Sequence, residues 1–272
     1  MKNLTYILFL PFILLTLTSC SQSENVPEFA AHKHQLSNYS FEATFIPDKV
    51  KIVGIGDSLT QGVGDEQKKE GYFGRITEKL AEVEGVESLE AVNVGKRGRR
   101  SDQLLEYLET AEGQEAIKDA NMIFMTIGGN DVMKIVKENL FNLRVQYFYE
   151  ELPFYKNRYT SIVQEIRKKN PSAPIIFIGI YNPFTVVTDE RSEFQEIVER
   201  WNDEMQNVAS SDANGCFVSI EELFRSDSKL VYHTDFFHPN SKGYDDITSA
   251  IWSQLQLCGL KEITNGEMQI RR

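Results

Sequence analysis

The sequence predicts an α/β fold, a parallel sheet with helices on both faces. The first observation behind this is alternation. From Val50 onward, short apolar runs rich in β-branched residues take turns with stretches whose apolar residues recur at helical spacing. The second is the kind of run. The strand candidates are short and mostly apolar, as expected of strands in a sheet covered on both faces. Strands separated by helices need crossovers, which are right-handed and make the sheet parallel.

Five strands are expected, at residues 50–55, 89–94, 122–127, 175–180 and 216–220. Between the first two, Phe73, Ile76, Leu80 and Val83 mark a helix. Leu104, Leu105 and Leu108 mark the next, with Ser101 or Asp102 as its cap. Tyr159, Ile162, Val163 and Ile166 mark a helix that stops before Pro171. Phe194, Ile197, Val198, Trp201, Met205 and Val208 form a long stripe, and Tyr244, Ile247, Ile251 and Leu255 a closing helix. The aromatic-rich segment 139–155 fits the alternation less well and reads as an insertion near the site, packing in the core, forming a lid or lining an acyl pocket.

The N-terminus is different in kind. One charge, Lys2, precedes an apolar run from Tyr6 to Leu17, too short to span a membrane comfortably and laid out like an export signal. It ends in Leu17-Thr18-Ser19-Cys20, which resembles a bacterial lipobox and implies cleavage before Cys20 and lipidation of its thiol. A diacylglyceryl group brings the two membrane signals that stable anchoring needs. The chain then divides into a signal at 1–19, a lipidated Cys20 and polar tether at 20–49, a domain at 50–258 and a tail at 259–272. This places the domain on the extracytoplasmic face of the cell membrane. His32 and His34 lie in the tether and read as solvated.

The totals bound the rest. A chain of 272 residues fits one α/β domain, and 41% hydrophobic with 25% charged residues is ordinary globular composition. A net charge of −11 argues against a nucleic-acid partner, which would require basic surface. With Cys20 lipidated, Cys216 and Cys258 remain. They could pair, but a domain this size needs no staple, and unpaired buried thiols are expected. No Cys/His spacing resembles a zinc site.

In an open parallel sheet, sites form beyond the carboxyl ends of the strands. The first strand runs into Gly56-Asp57-Ser58-Leu59-Thr60, where a serine can present its hydroxyl. A serine needs a base. Of the four histidines, two are in the tether. His238 follows Asp235 by three residues, so that one ring nitrogen can be oriented while the other faces the serine. His233 has Leu230 at that position. The second strand leads into Asn93-Val94-Gly95-Lys96-Arg97-Gly98, and the third into Gly128-Gly129-Asn130-Asp131. A glycine N–H and an Asn amide are suitable donors for an oxyanion. Asp57 and Asp131 read as fixing loop turns. Lys96, Arg97, Arg99 and Arg100 read as a solvated run, or as a cationic rim for an anionic lipid or wall polymer.

These four ordered blocks resemble the SGNH, or GDSL, hydrolase family over about residues 50–257. The resemblance implies a three-layer α/β/α sandwich with five parallel strands, of flavodoxin-like type. It implies Ser58 as nucleophile and first oxyanion donor, the Gly98 N–H and the Asn130 side chain as further donors, and Asp235 and His238 as the other triad members. It implies hydrolysis of carboxylic esters without metal or organic cofactor. The same residues would serve an acyl transferase acting on envelope carbohydrate. A non-catalytic binding lipoprotein on this fold is the remaining alternative.

Overall fold

The computed structural model describes residues 48–186, 193–224, 231–264 and 268. The readings on Cys20, His32, His34 and the tether lie outside them. Five strands, β1 (Asp48–Gly56), β2 (Val86–Asn93), β3 (Met122–Thr126), β4 (Ile175–Ile178) and β5 (Gly215–Val218), form one sheet in the order β2-β1-β3-β4-β5. Every pairing is parallel. Successive strand residues point to opposite faces. Val53, Ile55, Ile123, Met125, Ile175 and Phe177 enter one core. Ile52, Met122, Phe124, Ile176, Ile178 and Val218 enter the other. This is the expected three-layer sandwich.

The second face is covered by α2 (Gly71–Leu80), α8 (Ser241–Cys258) and the short α9 (Leu260–Ile263). The first is covered by α3 (Ser101–Glu109), α4 (Ala111–Lys118), α5 (Gly129–Glu138), α6 (Val145–Lys169) and α7 (Glu193–Ser211). A single turn, α1 (Ser58–Gln61), follows β1 directly. Strand order reverses between β1 and β3, so the crevice beyond their carboxyl ends is the switch point where such sheets place their sites.

Four expectations are corrected. Segment 139–155 is not an insertion: from Val145 it is the first half of α6. The buried stripe Phe148, Tyr155, Tyr159, Ile162 and Ile166 runs past Pro153, which sits on the exposed face, where a lost backbone bond is made up by water. Neither Ser101 nor Asp102 caps α3. The cap is Arg100, whose N–H is bonded by the Gln103 side chain at 3.1 Å. Residues assigned to the tail, Leu260, Ile263 and Met268, are buried in the core. Finally, Cys216 and Cys258 are joined in a disulfide, with Cα atoms 6.0 Å apart. It ties β5 to the end of α8.

Candidate active site

Ser58 is placed by the close approach of β1 and β3. A Cβ on Gly56, at φ +125°, would lie 1.8 Å from the Thr126 carbonyl, so only glycine fits where β1 ends. The chain turns at once into α1, and the Asp57 carboxylate caps it by accepting from the Leu59 N–H at 3.0 Å. The same oxygen accepts from the Thr126 hydroxyl at 2.8 Å. Thr126 and Tyr72 both bond the Thr60 hydroxyl at 2.7 Å, which locks the turn from beneath.

His238 arrives from the other end of the chain. Residues 231–240 fold back on themselves, with a bridge between Tyr232 and Pro239 and a bond from the His233 N–H to the His238 carbonyl at 2.8 Å. Asp235 organises the bend. One carboxylate oxygen accepts from the N–H groups of Phe237 (3.0 Å) and His238 (2.9 Å). The other accepts from His238 Nδ1 at 2.6 Å. His238 Nε2 then lies 2.9 Å from Ser58 Oγ. The tightness of the bend puts Phe236 at φ +53°, a conformation that costs a side-chain-bearing residue on the order of 1–2 kcal/mol. His233, the other histidine of the domain, faces Thr234 and is not part of this chain of bonds.

Asn130 stands at the start of α5, just beyond Gly128. A Cβ there, at φ +122°, would press on the Tyr155 hydroxyl at 2.5 Å. The Asn130 amide gives one N–H to the Arg99 carbonyl at 3.0 Å. An amide has two, so one remains to be donated. The loop carrying Gly98 is pinned to the same strand end, with the Lys96 N–H on the Gly56 carbonyl at 3.0 Å and the Arg97 N–H on the Gln61 side chain at 2.6 Å. The Gly95 N–H is used by the Asn93 side chain at 3.0 Å. A Cβ on Gly98 would meet nothing within 4 Å, so that position faces open space.

The basic run is not uniformly solvated. Arg99 is buried, with its guanidinium over the Tyr107 ring at 4.6 Å and donating to the Val94 carbonyl at 2.8 Å. It braces the Gly98 loop and presents the carbonyl that holds Asn130. Arg100 pairs with Asp102 at 2.8 Å, while Lys96 and Arg97 are exposed. Sequence reading missed the role of Arg99, since nothing in a run of cations marks the one that folds inward.

Asp131 does more than fix a turn. Its carboxylate receives the Ser101 N–H at 2.9 Å and the Ser101 hydroxyl at 2.5 Å, so α5 holds the start of α3. Burial raises its pKa against those bonds and the nearby Arg158. Asp57 is raised to about 6, first by burial and only partly countered by Thr126 and Leu59. For Asp235, desolvation also pushes upward, but the His238 ring and the two N–H groups outweigh it and hold the pKa at about 2.

Leu59, the residue after Ser58, lines a small apolar pocket with Val132, Met133, Ile180 and Phe194. Gly129 and Phe237, the sequence neighbours of Asn130 and His238, line it too. The 139–155 aromatics do not line it: Phe148 and Tyr155 are core residues, and Phe141 and Phe154 are exposed. Among the described residues, no group of three or more His, Cys, Asp or Glu side chains could hold a metal ion.

The model of the GDSL-like lipase/acylhydrolase family matches residues 55–245. The chain belongs to this family. Like its members, it is an ester-hydrolysing enzyme. It is 36% identical to the uncharacterised YpmR of Bacillus subtilis over 250 residues, 91% of this chain and 94% of that one. It is 22% identical to the spore germination lipase LipC of Bacillus licheniformis over 74% of this chain and 94% of that one. Among solved structures it resembles the lipase Lip_vut3 from a goat rumen metagenome, with a TM-score of 0.67 at 22% identity, over 77% of this chain and 97% of that one. It also resembles the acetylxylan esterase Axe2 of Geobacillus stearothermophilus, with a TM-score of 0.59 at 20% identity, over 79% and 96%. At these identities the two structures show that this GDSL hydrolase shares their fold.

Proposed function

We propose that the chain is an extracytoplasmic serine esterase that cleaves carboxylic esters through an acyl-enzyme on Ser58. The observation that carries this reading is the unbroken line from Asp235 through His238 to Ser58 Oγ, at 2.6 and 2.9 Å. Bonds in this range allow His238 Nε2 to take the hydroxyl proton as Ser58 attacks the carbonyl carbon. Asp235 holds Nδ1 protonated and balances the imidazolium that forms. The negative oxygen is met by the Ser58 N–H, the remaining Asn130 amide N–H and the Gly98 N–H. The open space at Gly98, and the prior use of the Gly95 N–H, support Gly98 over Gly95 as the donor. His238 returns the proton to the leaving alcohol. Water then repeats the sequence on the acyl-enzyme.

Ser58→Ala tests this directly. It should fold with an unchanged melting temperature, lose turnover of a short nitrophenyl ester, and resist labelling by a fluorophosphonate. Full turnover by that variant overturns the assignment.

Export and lipid anchoring at Cys20 form the second half of the proposal. The sequence around Cys20 supports it, and so does the Cys216–Cys258 disulfide, since such bonds persist in oxidising compartments and are rare in the cytosol. Metabolic labelling with an alkynyl palmitate should mark the chain in the membrane fraction, and Cys20→Ala should abolish the mark. Equal labelling of the variant rules the anchor out.

A further inference from the structure

The loop that follows the Ser58 turn, residues 62–70, is bonded at one end to Ser58 and at the other to the segment that follows His238. We propose that Asp65 and Glu66, acting through Ser241, are positioning residues that set where His238 stands against Ser58. The proposal rests on Ser58 and His238 as nucleophile and base.

The loop starts from Ser58. The Val63 N–H donates to the Ser58 carbonyl at 3.0 Å, and the Val63 carbonyl accepts from the Tyr244 hydroxyl of α8 at 2.6 Å. Gly64 packs against the bend that carries His238. At φ +94°, a Cβ there would lie 2.5 Å from the Pro239 carbonyl and 3.1 Å from His238 Cβ. The next two residues grip Ser241, three beyond His238 and the first residue of α8. The Ser241 N–H donates to Glu66 Oε2 at 2.8 Å. The Ser241 hydroxyl lies 2.8 Å from Asp65 Oδ1 and 2.9 Å from Glu66 Oε2, and accepts from the Gln67 N–H at 3.1 Å.

Asp65 anchors this grip. Its side chain is 1% exposed, and Arg75, 5% exposed, meets it at 2.6 Å. It also accepts from the Lys69 and Gly71 N–H groups at 2.9 and 3.1 Å. Burial pushes the Asp65 carboxyl upward, but the bonds from Arg75, Ser241 and Gly71 outweigh it and hold it below the ordinary carboxylate value. Arg75 reaches on to Asp245 of α8, also at 2.6 Å. A buried pair of this kind often adds less stability than apolar groups of the same volume; what it can supply is fixed geometry. Asp235 shapes the bend from within. Tyr181 meets the bend from the loop after β4, at the Phe237 carbonyl, 2.6 Å away. The grip on Ser241 ties it to the loop that grows out of the nucleophile turn.

Removing Asp65 would strand the buried Arg75, so the tie is better cut at Ser241, which leaves the Asp65–Arg75 pair whole. The purified full chain, Ser241→Ala, Ser241→Thr, Asp245→Asn, His238→Ala and the double variant Ser241→Ala/His238→Ala are assayed on a short nitrophenyl ester, well below their melting temperatures. Ser241→Ala should lower kcat about ten- to a hundredfold, the cost of misplacing a reacting group by a fraction of its length, with KM little changed. Ser241→Thr keeps the hydroxyl and should recover most of the loss. Asp245→Asn loosens Arg75 without touching the grip on Ser241 and should keep the wild-type kcat. In the His238→Ala chain, adding Ser241→Ala should change nothing further, because no base remains to be placed. A wild-type kcat in Ser241→Ala, an equal loss in Asp245→Asn, or a loss that persists undiminished in the His238→Ala chain overturns the proposal. If His238→Ala is inactive while Ser241→Ala turns over normally, the serine mechanism stands and the positioning role falls. If His238→Ala turns over normally, the mechanism itself fails.

Discussion

Two aspartates flank the reacting groups, and their surroundings pull them in opposite directions. Asp57 precedes Ser58, is 4% exposed, and has a pKa pushed up to about 6. Asp235 precedes His238 by three residues, keeps a third of its side chain in solvent, and has a pKa held at about 2. Asp57 accepts hydrogen bonds from Leu59 in its own loop and from Thr126 on β3, and Asp235 from Phe237 and His238 in its own bend. The imidazole makes the difference. Asp235 faces His238 Nδ1, whereas Asp57 faces only neutral donors in a place water does not reach. A carboxylate beside a catalytic residue is therefore not a catalytic carboxylate on that ground alone. Asp235 is charged throughout the neutral range and can balance a cation, while Asp57 shapes the turn that presents Ser58.

Asparagine substitutions give the most direct way to break this comparison. Asp235→Asn keeps an oxygen to accept the Phe237 and His238 N–H groups, so the bend should survive. It loses the acceptor for Nδ1–H, which favours the wrong imidazole tautomer. The expected result is a loss of about ten thousandfold in kcat with little change in KM. A loss under tenfold would place Asp235 with Asp57 as a shaping residue. Asn130→Ala should cost about a hundred- to a thousandfold in kcat, the range for one oxyanion donor. Because Asn130 also holds the Arg99 carbonyl, Arg99→Lys sharpens that result. It should weaken the loop through loss of the stack on Tyr107 and lower kcat by a smaller factor than Asn130→Ala. A larger loss from Arg99 would mean that loop position outweighs the amide.

The layout of the fold was legible because the five strands and the helices α2, α3, the second half of α6, α7 and α8 announce themselves locally, through apolar runs and 3.6-residue spacing, whereas α4 and α5 did not. The line of hydrogen bonds from Asp235 through His238 to Ser58 was legible for a related reason: Asp235 and His238 sit three apart, and histidines are few. What could not be read depends on approach between distant segments. The pocket walls come from stretches around residues 59, 129, 180, 194 and 237, and no local pattern marks them as neighbours. The sequence separation of 42 between Cys216 and Cys258 says nothing of the 6.0 Å between their Cα atoms. The start of α6 was hidden by Pro153, since a proline ordinarily argues against helix and only its exposed placement makes it tolerable here.

Stability against pH separates the two aspartates by a smaller but cleaner effect. The raised pKa of Asp57 means that the folded chain binds this proton more tightly than the unfolded one, whose carboxyl titrates near 3.8. Its contribution is then full below pH 4 and lost as the pH rises through about 6. A difference of this size amounts to about 3 kcal/mol. Asp57→Asn is neutral at every pH and should not show the fall. In urea unfolding between pH 4 and 7, the stability of the variant relative to wild type should therefore improve by about 3 kcal/mol as the pH rises. Parallel curves would mean that Asp57 is not strained by its charge. For Asp235 the sign is reversed. Its contribution is present above the ordinary carboxylate pKa and is lost only as the pH falls toward 2, so Asp235→Asn should run parallel to wild type over the same window. The variant that flattens the stability profile should thus be the one that spares kcat, and the variant that destroys kcat should leave the profile's shape alone.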